Sequence, residues 1–462
     1  MPSPAPSPSP YRLIGPTEDA TSNDLLALLD AQASSLRLQA LIAEWLRMEN
    51  LVVLSGAGTS VSSGGQTMVT LERKVLSAVK AVKGTSAEIL KIVETREKDL
   101  LLPPDRRVDF EGWLSYVANA AQISAVATSP LEGVVWRGSA KPSDKELKDF
   151  VSCLGSAIFA ECAIILPEVK PGAASVSDIP PHLAFLAKLV ARDSNLGRAH
   201  LFTLNYDTLF EQALEAIGIQ YFDGFTGRAA ARFDPSVYGL DIYYPGEIAE
   251  GRVRRFDKFL HFYKLHGSIH WRVNHEELIA QHPNLTEFGK YRGLGDAEKA
   301  DFLVESADRI PTVGILPTAN KFAQTLTMPF AHIFRLFQVR LSAPQTFLLV
   351  LGYGFGDSHV NQIIEGALMN PSLVMLVVEP NADSQTIERI RKYRDLGKRA
   401  FILTPTVDAF NAKKWEKATF DDFARNVMPD VQWLDDFLRL RRVEDQIKAS
   451  GVADTAGTAS VI

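Results

Sequence analysis

Cysteine is almost absent from this chain. Its 462 residues hold two, Cys153 and Cys162, too few for a disulfide framework or a four-cysteine zinc site. Both fall in one apolar, helical segment, so they are expected to be core thiols in a reducing cytoplasm. Charge of one sign is lacking as well. Lys and Arg total 49 against 55 Asp and Glu, a net charge of -6 with a pI near 5.9. That balance excludes a chain built mainly to coat nucleic acid, and nucleic acid is not directly indicated as a partner. No apolar run approaches the ~18 residues a membrane helix needs, so no membrane is expected. The opening MPSPAPSPSPYRLIG is Pro/Ser-rich and lacks the charged start and apolar core of a signal peptide. A cytoplasmic location follows as the expectation. No GxxxxGK[ST] occurs, so a P-loop ATPase is unsupported.

With 46% hydrophobic and 23% charged residues, the chain reads as globular, with length for one large domain or two. Leu51, Val52, Val53 and Leu54 form a short apolar run of the kind buried on both faces of a sheet. Ser55-Gly56-Ala57-Gly58-Thr59-Ser60 follows at once. A strand entering a glycine turn is a candidate dinucleotide cradle, because amides opening the next helix can approach a pyrophosphate. The third glycine of GxGxxG is replaced by Val61. Apolar spacing predicts helices over 23–30 and 36–48 before this strand. It then predicts only helices from about 69 to 195, a helical insertion. Strands resume at Ala199–Thr203, Ile219–Phe222, Lys258–Leu265, Val313–Leu316, Phe347–Leu351, Leu373–Val378 and Arg399–Leu403. Residues 274–309 read as loop and short helices. Two long helices are predicted at Phe322–Leu341 and Ser384–Arg394.

Alternation of apolar strands with helices predicts an α/β, Rossmann-like doubly wound parallel sheet, with ligands at the carboxyl ends of its strands. The expected organisation is a disordered tail over 1–20, an α/β body over 21–405 carrying the insertion, a C-terminal helical extension over 406–450, and a second disordered tail over 451–462. The extension is either a packing appendage or a partner surface. Each expected strand end carries polar or glycine residues: Gly56 to Ser60, Asn205 with Asp207, His266-Gly267, Gly352-Tyr353-Gly354-Phe355-Gly356-Asp357, and Glu379 with Asn381. The two glycine turns would serve two ends of an elongated ligand, and Glu379 would accept ribose hydroxyls.

In that order, GAGTS, Asn-x-Asp, His-Gly and the later glycine turn resemble the sirtuin fold. The variants TLNYD over 203–207, YFDGF over 221–225, KLHGS over 264–268 and LGYGFGD over 351–357 are similar to the sirtuin-like NAD hydrolases of bacterial anti-phage defence. The resemblance covers about 40–405. Two features of protein-deacylating sirtuins are missing: the GIPDFRS that would follow the first turn, where Ser63-Gly64-Gly65-Gln66-Thr67-Met68 stands, and the four-cysteine zinc module after the His-Gly pair.

The resemblance implies NAD+ as substrate, with Asn205 and His266 catalytic. Contacts to the dinucleotide are implied for Gly56, Ala57, Gly58, Thr59, Ser60, Asp207, Gly352, Gly354, Phe355, Asp357, Glu379 and Asn381. Nicotinamide leaves neutral, so the bond to ribose needs no general acid. One positioned base and one hydrogen-bonding amide suffice. An imidazole titrates near neutrality, which makes His266 the natural base. Asn205 would hold water or a ribose hydroxyl, and Asp207 would fix the loop or contact the ribose. His270 and His275 follow His266 without a carboxylate or cysteine pattern, and no metal is expected. Homo-oligomerisation is implied, with a HerA-family ATPase or a short Argonaute as the class of partner. The insertion is either a lid or an assembly surface. The readings to be separated are an NAD+ glycohydrolase, an NAD-dependent protein deacylase, and a non-enzymatic sensor of NAD or ADP-ribose.

Overall fold

A computed structural model describes residues 7–16, 24–27, 29–103, 106–126, 140–169, 178–193, 195–227, 231–244, 255–274, 277–280, 289–305, 328–381, 387–388, 390–392, 399–412 and 416–431. The expected strand over 313–316, most of the helix over 384–394, the extension beyond 431 and both extreme termini lie outside these residues. The described strands are β1 (Tyr11–Ile14), β2 (Asn50–Ser55), β3 (Ala199–Thr203), β4 (Gln220–Phe222), β5 (Phe225–Thr226), β6 (Ala231–Phe233), β7 (Phe259–Lys264), β8 (Trp271–Asn274), β9 (Glu277–Ala280), β10 (Thr346–Leu351), β11 (Val374–Val378) and β12 (Ala400–Pro405). The main sheet has eight strands in the order β1-β12-β11-β10-β2-β3-β7-β4, all parallel except β1.

Alternation along the strands builds a core on each face. Leu51 and Val53 join Phe347, Leu349, Leu201 and Leu376 in one. Val52 and Leu54 join Leu348, Val350, Phe202 and Met375 in the other. Both faces being covered, the central strands are continuously apolar, which is why they were visible in the sequence.

The helices are α1 (Ala31–Leu46), α2 (Met68–Ala81), α3 (Ala87–Asp99), α4 (Phe110–Val126), α5 (Asp144–Glu161), α6 (Pro181–Val190), α7 (Leu209–Ala216), α8 (Asp296–Glu305), α9 (Phe330–Ser342), α10 (Ser358–Ala367) and α11 (Val407–Ala412). In the insertion, Thr67 caps α2, Ser86 caps α3, and Ser143 with Glu146 forms a capping box on α5. α2 to α5 share a third core of their own around Val75, Val93, Val117 and Ala157, as expected of a separate layer. α8 joins this layer through Leu303.

Three expectations are corrected. Tyr11–Ile14, assigned to the disordered tail, pair antiparallel with β12, and the Tyr11 hydroxyl donates to Asp422 at 2.8 Å. The apolar alternation of Tyr11, Leu13 and Ile14 was masked by the Pro/Ser run before it. Residues 24–27 form turns rather than a helix, with Asp24 accepting from the amides of Leu13 and Leu26. The segment over 274–309, read as loop and short helices, contributes β9 to a four-stranded antiparallel sheet, β5-β6-β9-β8, whose aromatics Phe225, Phe233 and Trp271 pack together. Its strands are two to four residues long, too short to show a period in sequence.

Candidate active site

Register aligns the strand ends. Ser55 pairs with Leu351 on one side and Thr203 on the other; Thr203 pairs with Lys264 and Leu351 with Val378. The residues that follow these five positions therefore emerge side by side at one edge, the expected ligand position in an open α/β sheet. There they border a cleft of about 320 Å³, within the range of cofactor sites. Asn205, His266, Asp207, Gly56, Ala57, Ser60, Gly352, Gly354 and Asp357 all line it. Gly58, Thr59, Phe355, Glu379 and Asn381 do not. Phe355 is fully buried with a positive φ of 56° and serves as an anchor, its carbonyl accepting from Asn361 at 2.9 Å. The Glu379 carboxylate folds back onto the Asn381 amide at 2.9 Å.

The two glycine turns pack on one another and line the same cleft. Gly56 N donates to Leu351 O and Gly58 N to Gly352 O, both at 2.9 Å. A Cβ on Gly352 would lie 2.5 Å from the Thr59 nitrogen, and one on Gly58 would lie 2.6 Å from the Gly352 Cα. Close backbone approach is what these glycines permit. The helix expected to open directly after the first turn is corrected. GAGTS enters two short 3-10 turns, Ala57–Thr59 and Val61–Ser63, and not an α-helix. The amides of Thr59 and Ser60 are spent on Gly56 O and Ala57 O. Ala57, which lines the cleft, is exposed.

Asn205 is held by the turn it faces. Its Nδ2 donates to Gly56 O at 3.1 Å, Thr59 Oγ1 at 3.1 Å and Ser60 Oγ at 2.9 Å. A backbone carbonyl can only accept, so the orientation of the amide is fixed. Oδ1 is then the Asn205 atom available to a bound water or hydroxyl. Ser60 Oγ passes the contact on to Asp207 Oδ2 at 2.6 Å, and Asp207 Oδ1 accepts from Leu209 N at 3.1 Å. Asp207 thus fixes the loop, one of the two roles expected of it.

Sequence reasoning missed what lies beneath. Lys264, 3% exposed, donates to the carbonyls of Asn205 and Asp207 and pairs with Glu211 at 2.9 Å. Burial pushes the Glu211 carboxyl up to about 7 against the pull of Lys264. A lysine inside an otherwise apolar strand was the available signal. The opposite wall comes from the insertion, through Met68, Leu71, Glu161 and Cys162. Burial first, then the Asp207 and Glu161 charges, pushes the Cys162 thiol up to about 12, so it is no nucleophile. Glu161 is surrounded by Lys299, Lys74 and Arg292. These three cations compensate the charge of the Glu161 carboxylate at that wall.

His266, 4% exposed, closes the far side of the cleft. Its Nε2 lies 3.2 Å from Nε2 of His359, and donor atoms of His266, Asp357 and His359 all fall within 4.8 Å of one another. Such a trio has the composition of a metal site. His275, considered above as a companion of His266, lies outside the described residues, and the histidine that meets His266 is His359.

A family model described as a SIR2-like domain matches residues 199–397. This part of the chain is similar to SIR2-like domains. No curated protein matches the chain. SIR2-like domains are commonly NAD-dependent enzymes, which fits a dinucleotide-sized cleft at the strand ends. The match starts at β3 and includes Asn205, His266 and the second glycine turn, while the first turn and the insertion precede it. The cleft of the SIR2-like domain is nonetheless completed by both, through Gly56, Ser60 and Glu161. Among the described residues, no helix is long and apolar enough to cross a membrane.

Proposed function

We propose that the chain is an NAD+ glycohydrolase that cleaves NAD+ to nicotinamide and ADP-ribose. The carrying observation is that Asn205 and His266, on adjacent parallel strands, open into one cleft with both glycine turns. In this reading Asn205 Oδ1 orients water or a ribose hydroxyl. The bond from C1′ to the nicotinamide nitrogen breaks with its electron pair going to the ring. Water adds at C1′ and loses a proton to His266. No metal is needed, since the leaving group departs neutral. The missing four-cysteine module and the insertion residues walling the cleft favour hydrolysis over transfer to an acyl-lysine peptide. By the motif resemblance, we assign this activity to depletion of NAD+ in anti-phage defence, by a homo-oligomer acting with a HerA-family ATPase or another defence subunit.

The test is NAD+ consumption by the purified full chain, alone and with the product of the neighbouring gene, with nicotinamide and ADP-ribose quantified. Asn205→Ala and His266→Ala are each expected to lower turnover by roughly 10²-fold or more, with melting curves confirming the fold. Undiminished activity in both variants refutes the residue roles. Turnover only in the presence of an acyl-lysine peptide selects the deacylase, and tight binding without turnover selects a sensor.

A further inference from the structure

His359 stands behind His266, on the first turn of α10, and does not line the cleft. It is 6% exposed, and Phe334 of α9 packs against both rings, at 6.4 Å from His266 and 5.2 Å from His359. The 3.2 Å Nε2 to Nε2 separation is a hydrogen bond, so one ring donates and the other accepts. If His359 donated, the only lone pair of a neutral His266 would be consumed in the pair, leaving no base. If His266 donates from Nε2, its acceptor lone pair is on Nδ1 and the ring can take a proton. Only the second tautomer makes His266 competent.

We propose that His359 is the positioning residue of the active site, its Nε2 accepting from His266 Nε2–H and thereby fixing His266 in the basic tautomer. The arrangement has the logic of a catalytic triad, with an imidazole in the place of the carboxylate that orients the base. When water adds at C1′, its proton goes to His266 Nδ1. The Nε2 proton is then shared with His359, and the added positive charge lies beside the Asp357 carboxylate, whose donor atom is within 4.8 Å of both rings'. No proton is lost from the balance, and none leaves the pair until the site opens. The titratable residues that line the cleft with His266 are Tyr353 and Asp357 on the second glycine turn, Tyr206 and Asp207 after β3, and Glu161 and Cys162 at the end of α5. The inference rests on the proposed hydrolysis.

The experiment compares His359→Ala, His359→Gln and wild type in full kinetic profiles from pH 5 to 9. His359→Ala is expected to lower kcat about 10- to 100-fold with KM changed less than about 2-fold, and to displace the acidic limb of the kcat profile. His359→Gln, whose side-chain oxygen can accept the same hydrogen bond, is expected to recover part of kcat and move the limb back. An unshifted limb, or a loss carried by KM, overturns the proposal. So does Gln behaving as Ala. Loss of wild-type turnover on chelation, restored by Zn²⁺, also overturns it, because the three side chains would then be metal ligands. If the wild type cleaves no NAD+, the hydrolase reading fails separately. The pair is then read by titrating ¹³C-labelled histidines, where the His266 resonance must shift its midpoint in His359→Ala; an unmoved midpoint refutes the pairing.

Discussion

Replacing Lys264 by Met should uncouple the stability of the fold from the shape of its active-site loop. The ammonium of Lys264 is the buried counter-ion of Glu211 and the donor to the carbonyls of Asn205 and Asp207. Removing one member of a buried pair costs about 3–5 kcal/mol when the partner stays charged. Glu211 has an escape, because burial already holds its carboxyl near 7, and without Lys264 it moves higher. A carboxyl with a raised native pKa binds its proton more tightly folded than unfolded, so stability falls as pH rises from its ordinary value through the raised one. In wild type that decline ends near pH 7; in Lys264→Met it continues above 7. The gap between the two should widen from pH 6 to pH 8 by up to about 1.4 kcal/mol, since both decline together up to pH 7 and only the unit from 7 to 8 separates them, at 1.36 kcal/mol per unit. Urea unfolding at both pH values measures it. Lys264→Met with Glu211→Leu should restore most of the stability and remove the decline above pH 7 from the variant, yet leave NAD+ turnover low, since the two loop carbonyls remain unheld. A gap that does not change with pH, or a double variant that regains activity along with stability, refutes the reasoning.

Gly352→Ala should be more damaging than its size suggests. At φ of 60° the added Cβ would sit 2.5 Å from the Thr59 nitrogen. The left-handed conformation alone costs about 1–2 kcal/mol, and separating the turns should abolish dinucleotide binding in a titration. His182 is fully buried between Phe210 and Phe420, and neither ring nitrogen has a partner among the described residues. Burial pushes its pKa down to about 3. A depressed histidine contributes stability above its unfolded value, lost as pH falls toward the folded one. His182→Leu should therefore flatten the acid side of the stability profile. The relative gain at pH 5 over pH 8 is about 2 kcal/mol, from some 1.5 units below the ordinary value; equal effects at both pH values would contradict it.

What was legible in the sequence was whatever repeats over several residues. Leu51 to Leu54 and Phe347 to Leu351 are buried on both faces and show it by unbroken apolarity. The helices of the insertion show it by period and by caps such as Ser143 with Glu146. Tyr11–Ile14 and the small antiparallel sheet were illegible because their strands are short and their partners distant, with β1 pairing across almost the whole chain to β12. At the site, residues directly following a strand were found. Those reaching it from elsewhere were not. Glu161 arrives at the end of an insertion helix, and His359 acts through another side chain.

The glycine turn shows how far such a pattern carries. Glycines after a buried strand announce that a backbone must come close to something, and a phosphate is the usual inference. Here that something is a second turn of the same chain. Gly56 and Gly58 lie against Gly352, and their amides donate to the Leu351 and Gly352 carbonyls. The consequence for function is indirect. Joining the turns creates a rigid rim on which Gly56 O, Thr59 Oγ1 and Ser60 Oγ hold the amide of Asn205, turning its oxygen to the cleft. Rigid support of a reacting geometry is worth more than one added ligand contact, because a catalytic group must be held close to its productive position. The glycines therefore act on the cleft by orienting Asn205, the residue that the proposed hydrolysis requires there.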